Sequence, residues 1–149
     1  MTIREGRLND IPKLLEIGQY YLDQIHPGMT IDKNSAPKDL RYLMSSKTGV
    51  VLVAEHHNEI VGVLVGQVMK QAFVNCRYAT DLAFVVMPGH PIQAVQLARQ
   101  FVHWAKGMRN VKEIVLNISS GLGNVERVGE MYERLGMRKM GGTYAIYLD

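Results

Sequence analysis

Residues 50–69 read Val50-Val51-Leu52-Val53-Ala54-Glu55-His56-His57-Asn58-Glu59-Ile60-Val61-Gly62-Val63-Leu64-Val65-Gly66-Gln67-Val68-Met69. Two apolar runs flank a polar, turn-like His56-His57-Asn58-Glu59. β-Branched side chains are stiff at χ1 and fit a pleated surface. Runs that are apolar at successive rather than alternate positions predict a hairpin buried on both faces. Gly62 and Gly66 inside the second run predict a bulge, or the close approach of another element.

Working outward toward the N-terminus, residues 2–5 form a short candidate strand. Asn9 is placed as a helix N-cap, with Pro12 tolerated in the first turn. Ile11, Leu14, Leu15, Gly18 and Leu22 then recur on one helical face. His26-Pro27-Gly28-Met29 breaks that helix. A second helix is expected over 36–45, with Ser35 as its cap.

Toward the C-terminus, residues 78–87 read as a further strand, ended by Pro88-Gly89-His90-Pro91. A helix follows over 91–107, with Ala94, Leu97, Ala98, Phe101 and Ala105 as its apolar stripe. Residues 113–118 read as a strand and 119–123 as a loop. Asn124 caps a last helix carrying Val128, Met131, Tyr132 and Leu135 on one face, and Gly136 stands where a C′ glycine belongs. Residues 138–140 and 143–147 are expected as closing strands about Gly141-Gly142. The order β-α-α-β-β-β-α-β-α-β-β predicts an α/β (α+β) fold. Its sheet is mixed and mostly antiparallel, with helices on its faces.

The chain of 149 residues is one domain's worth, and no linker or repeat divides it, so residues 1–149 are expected to form a single domain. A hydrophobic share of 47% with 21% charged residues excludes wholesale disorder. The lone Cys76 cannot form an internal disulfide, which excludes a disulfide-stapled secreted scaffold and fits a reducing compartment. No apolar run is long enough for a membrane helix and the first residues carry no signal-peptide core, so the cytoplasm is the expected location and no membrane partner is expected. The net charge of +3 comes from scattered basic residues rather than a cluster, so no nucleic-acid partner is expected. No Cys/His cluster or His-Glu-x-x-His spacing suggests a metal.

Four segments carry a resemblance. They are Ile3-Arg4-Glu5 with Asp10-Ile11-Pro12-Lys13-Leu14-Leu15, Val51-Leu52-Val53-Ala54-Glu55 with Glu59-Ile60-Val61-Gly62, residues 82–88, and residues 124–137 with Met131-Tyr132-Glu133-Arg134-Leu135-Gly136-Met137. In order and spacing the sequence resembles the GNAT superfamily of acyl-CoA N-acyltransferases, with the last segment the most specific. The likeness is greatest to small bacterial and phage members. It implies a sheet that splays after its fourth strand and an acyl-CoA bound in the resulting cleft. It implies that backbone groups of Phe84, Val85 and Val86 pair with the pantetheine amides as an added strand would. It also implies acetyl-CoA as co-substrate, an amine acceptor as partner, and a homodimer as an admissible assembly.

The resemblance assigns roles residue by residue. Tyr132 stands where the family's tyrosine acts as an acid toward the CoA thiolate. A core tyrosine on an apolar stripe is the other reading. Asp81 stands where relatives carry an acidic base or water-holding residue, against a plain surface carboxylate. Asn124 matches a cofactor-contacting asparagine and is also an N-cap. Arg127 is placed to reach a CoA phosphate, against a solvated face. The pyrophosphate would lie at the helix opening with His90, Gln93, Ala94, Val95 and Gln96. Here the chain departs from the family. Pro88-Gly89-His90-Pro91-Ile92-Gln93-Ala94 lacks the arginine and paired glycines of the family's loop, and Pro91 has no N–H to offer. His26 falls in the loop expected to cover the acceptor side. His56 and His57 are expected at the surface, as is His103.

The expected function is N-acetyl transfer from acetyl-CoA to an amine, without an acyl-enzyme. Its alternative is a catalytically inactive binding module on the same fold, motivated by the altered loop.

Overall fold

The computed structural model describes residues 3–118 and 124–148. A five-stranded sheet runs in the order β1 (Ile3–Glu5), β2 (Gly49–His56), β3 (Glu59–Lys70), β4 (Arg77–Val86) and β5 (Val111–Val115). The first four strands pair antiparallel and β4 pairs parallel with β5. Helices α1 (Ile11–Ile25) and α2 (Ser35–Ser45) lie between β1 and β2. Helix α3 (Pro91–Lys106) joins β4 to β5, and α4 (Val125–Arg134) follows β5.

The hairpin forms as the sequence predicts. His57 (φ 51°) and Asn58 (φ 66°) are both left-handed, as a type I′ turn requires. Val50, Leu52 and Leu64 face Leu97, Phe101 and Ala105 of α3 in one core. Val51, Val53, Val63 and Val65 face Leu14 and Ile17 of α1 and Leu43 of α2 in the other. Helices therefore cover both faces, and the central runs 50–54 of β2 and 60–66 of β3 are apolar at successive positions because neither face meets water there.

Gly62 and Gly66 serve close approach. A Cβ on Gly66 would stand within 2.4 Å of the Phe101 ring, and one on Gly62 within 3.1 Å of Leu97. A bulge falls in β3 beside Gly62, as expected: Ala54 opposes Gly62 and Glu55 opposes Ile60, which leaves Val61 as the extra residue. A second bulge, beside Gly66, lies on the opposite strand. Val65 opposes Ala83 and Gly66 opposes Asp81, which leaves Leu82 of β4 as the extra residue.

Several expected boundaries move. A short 3-10 turn (Leu8–Asp10) precedes α1, so Asp10 rather than Asn9 is its N-cap. Arg4 holds Asp10 at 2.7 Å, and Asp10 Oδ2 accepts from Arg7 N. Ile17, not Leu15, completes the buried face of α1. Ser35 is the first residue of α2 rather than its cap; Asp32 Oδ1 accepts from Asn34 N and Ser35 N instead. β5 is Val111–Val115, earlier than expected. The loop expected at 119–123 lies outside the described residues. The closing strands expected at 138–140 and 143–147 are absent: residues 137–148 carry no regular structure. A β-prone segment becomes a strand only with a ladder partner, and Tyr147 instead donates its hydroxyl to Ile25 O at the end of α1 (2.9 Å).

Candidate active site

The parallel pairing of β4 with β5 covers only Arg77 to Thr80. Beyond it the two strands part, so the sheet splays as expected. Among the described residues, the edge of β4 that faces away from β3 has no ladder partner from Asp81 onward. The gap is a cleft of about 730 Å³ between β4, the opening turn of α3, and α4.

The bulge sets which side chains enter it. In a regular strand Asp81 would share a face with Ala83 and Val85. The extra residue Leu82 resets the alternation, so Asp81, Phe84 and Val86 all line the cleft. Val85 is turned the other way and is buried in the core under α1.

From the opposite wall comes Tyr132, and its placement follows from how α4 is closed at both ends. Asn124 Oδ1 accepts from Arg127 N at 3.2 Å, the N-cap expected. At the other end Gly136 has φ +91°, with Gly136 N donating to Glu133 O and Met137 N donating to Tyr132 O. These two bonds make a Schellman motif, which only a residue at ease in the left-handed region closes without strain.

Tyr132 is buried, and its hydroxyl donates to Asn117 O at 2.8 Å. Asn117 in turn donates to Asp81 Oδ1 from its side chain (2.7 Å) and from its backbone N–H (3.1 Å). One asparagine thus joins the β4 carboxylate to the α4 phenol. Burial pushes the Tyr132 phenol well above its ordinary range, and the Asp81 charge adds to the shift. The phenol therefore stays protonated across neutral pH. Burial also pushes the Asp81 carboxyl up, against the Asn117 hydrogen bonds. A carboxylate raised in this way holds a proton more readily than an exposed one, which suits a base. Asn117 escaped the sequence reading. Its main-chain carbonyl carries half its role, and a carbonyl leaves no trace in residue type.

Of the other expected residues, Phe84, Val86, His90, Ala94, Val95, Asn124 and Arg127 line the cleft. Val85, Gln93 and Gln96 do not. Gln93 is buried on the inner face of α3, with its amide 3.4 Å from His56 Nδ1. Tyr21 of α1 also reaches the cleft. His26 packs edge-on against Tyr147, with ring centroids 5.3 Å apart, and is not in the cleft lining. A smaller cavity of about 320 Å³ lies between β1, β2 and α3. Its Arg4 is already paired with Asp10 and Glu55, so it offers little chemistry.

No family model and no curated protein sequence matches the chain. Solved structures do match along its whole length. Glucosamine-6-phosphate N-acetyltransferase from Arabidopsis thaliana is 18% identical at a TM-score of 0.72, over 99% of this chain and 97% of that one. An aminoglycoside 6′-N-acetyltransferase from Acinetobacter haemolyticus is 15% identical at 0.70, over 100% and 99%. A transcriptional regulator from Bacillus halodurans C-125 is 20% identical at 0.75, over 99% and 100%. The splayed mixed sheet of this chain, with its helices on both faces, is the fold of the GNAT N-acetyltransferases.

Proposed function

We propose that the protein transfers an acetyl group from acetyl-CoA directly to an amine. One observation carries the reading: β4 loses its β5 partner after Thr80, bulges at Leu82, and turns an unpaired backbone edge and a half-buried carboxylate toward a buried tyrosine. Pantetheine is a chain of amides, and the open edge at 84–86 can pair with it as a strand pairs. The amine nitrogen attacks the thioester carbonyl. The C–S bond breaks, and the sulfur leaves with its electron pair. Asp81, directly or through a water, takes the proton the nitrogen gives up.

The raised pKa of Tyr132 refines its role. Such a phenol is a weak acid, so it serves the departing sulfur first as a hydrogen-bond donor and passes its proton only as charge builds there. To do so its O–H swings from Asn117 O toward the cleft. Asn124 and Arg127 meet the cofactor from α4.

A second reading, a binding module without transfer, is favoured by the loop 88–94, which lacks the arginine and paired glycines of its relatives. Calorimetric titration with acetyl-CoA, followed by thiol-release assays across small amines, peptide N-termini and lysine peptides, separates the two. Micromolar acetyl-CoA binding with amine-dependent CoA release is expected. Absence of binding at millimolar ligand overturns acetyl transfer. Binding without release across the panel favours the second reading.

A further inference from the structure

Asp81 is half-buried, lines the cleft, and pairs with no cation among the described residues. Both hydrogen bonds to its side chain come from Asn117 and fall on Oδ1, so Oδ2 keeps its capacity to accept. The polar groups around it are engaged with one another: the Tyr132 hydroxyl with Asn117 O, and the Asn124 side chain with Arg127 N. A partly desolvated carboxylate without a counterion favours a cation. The residues that follow the Asp81–Asn117 pair in sequence, Leu82 and Ile118, also line the cleft. Both are apolar and both meet solvent, Leu82 at 48% exposure and Ile118 at 36%. Exposed apolar side chains beside a single charge make a surface that gains by taking up an apolar body.

We propose that the acceptor is a small monoamine on an alkyl or aryl body, its one ammonium held by Asp81 and its apolar part covered by Leu82 and Ile118. The acceptor role rests on the acetyl-transfer reading above; the amine site itself does not. With pantetheine paired at 84–86, Asp81 and Leu82 lie beyond the end of the paired stretch and are left to the second substrate. The bound ammonium gives one proton to Asp81 and becomes the attacking amine. As the N–C bond forms and the C–S bond breaks, a second nitrogen proton balances the one taken up by the departing sulfur. The amide product is uncharged, so it loses the ionic contact that held the amine.

The charges of the cleft argue against other acceptors. Among the described residues Asp81 is the one carboxylate in its lining, and Arg127 the one lysine or arginine. The sequence at 119–123 holds no charged residue. An aminoglycoside brings several ammonium groups, of which Asp81 neutralises one, and the net charge of +3 repels the rest. A sugar phosphate needs a cation of its own, and its hydroxyls would find no partner on Leu82 or Ile118. A peptide main chain needs an open strand edge, but β4 is closed by β5 through Thr80 and its open stretch is taken by pantetheine.

The test follows CoA release by the full chain supplied with acetyl-CoA, and separately follows amine binding by NMR. From ethylamine to butylamine kcat/KM is expected to rise roughly tenfold, since each fully buried methylene is worth about fourfold. Kanamycin, glucosamine-6-phosphate and a lysine peptide are each expected to fall about tenfold or more below 2-phenylethylamine. A flat alkyl series, or a preference for any of those three, overturns the monoamine class while acetyl transfer stands. Leu82→Ser and Ile118→Ser are each expected to flatten the dependence on chain length, the second leaving the β4 bulge untouched. A series as steep as the parent's in both variants overturns the apolar cover. 2-Phenylethylamine, titrated with and without CoA, is expected to shift the amides of Leu82, Asn117 and Ile118 in the parent and not in Asp81→Asn. Amides that move in neither titration, or equally in the variant, overturn the amine site. Moving amides with CoA released by no acceptor overturn acetyl transfer and leave the amine site standing.

Discussion

The two halves of β4 meet different surroundings. Over Arg77 to Thr80 the strand is bonded on both edges, to β3 and to β5. From Asp81 to Val86 it keeps β3 and loses β5. The first half lies inside the sheet, with Ala79 fully buried and β4 itself unbroken; the irregularity there, Lys112, is on β5. The second half carries the bulge, the raised carboxyl and the cleft. The difference teaches where this fold keeps its ladders complete: β4 is paired on both edges up to the point where its hydrogen bonds become available to something else.

That division can be broken from either side. Phe101→Ala removes the ring that fills the space over Gly66, which is fully buried, and is expected to cost about 4 kcal/mol of stability. Denaturant unfolding measures this, and ligand affinity of the folded fraction should hardly change. If affinity fell in step with stability, the two halves would not be separable. Tyr132→Phe acts on the open half. With an acceptor in hand, turnover is expected to fall about 100-fold. Its stability cost is the hydrogen bond to Asn117 O, about 1 kcal/mol. Unchanged turnover would remove Tyr132 from the chemistry.

Asn124→Ala sharpens the comparison from the wall of the cleft. Loss of the cap is expected to cost about 1 kcal/mol and to weaken acetyl-CoA binding by more than fraying of α4 alone would. Asn124→Ser, which keeps a cap, separates the two effects by calorimetry.

The smallest effect is expected at Asp81. Its folded-state pKa lies above the unfolded value, so its contribution to stability is fully present below the unfolded pKa and is lost as pH rises through the folded one. Asp81→Asn keeps an oxygen to accept from Asn117 and sheds the partly desolvated charge. Relative to the parent it is therefore expected to gain up to about 1 kcal/mol at pH 7 and nothing near pH 3, while activity falls. Thermal unfolding at the two pH values checks the sign.

Much of this frame was legible in the residues themselves. The hairpin is written in unbroken β-branched runs, and α4 in a cap and a C′ glycine ten residues of helix apart. Tyr132 and Asp81 were named only through the family resemblance, spacing alone reading them as a core tyrosine and a surface carboxylate, and both line the cleft. What stayed hidden depends on partners far away in the chain. Asp10 displaces Asn9 as the cap because Arg4 holds it across β1. Gln93 faces inward because His56 lies above it, so spacing along α3 could not distinguish it from Ala94. Asn117 works through a carbonyl that any residue possesses. The bulge at Leu82 is a property of register, which two strands decide together. The closing strands failed for the converse reason: their composition suits a sheet, but none of their neighbours offers them a ladder.

An unpaired strand edge is also a template on which other chains aggregate, and proteins commonly blunt such edges with charge, proline or distortion. Here the exposed stretch of β4 is recessed, with a bulge at one end and α4 as the facing wall. A recess walled on its far side by α4 favours one narrow extended chain over a neighbouring sheet. The same recess that leaves β4 hydrogen-bonding groups open to a single extended chain thus guards against edge-to-edge association. Deleting α4 would leave this edge open to self-association.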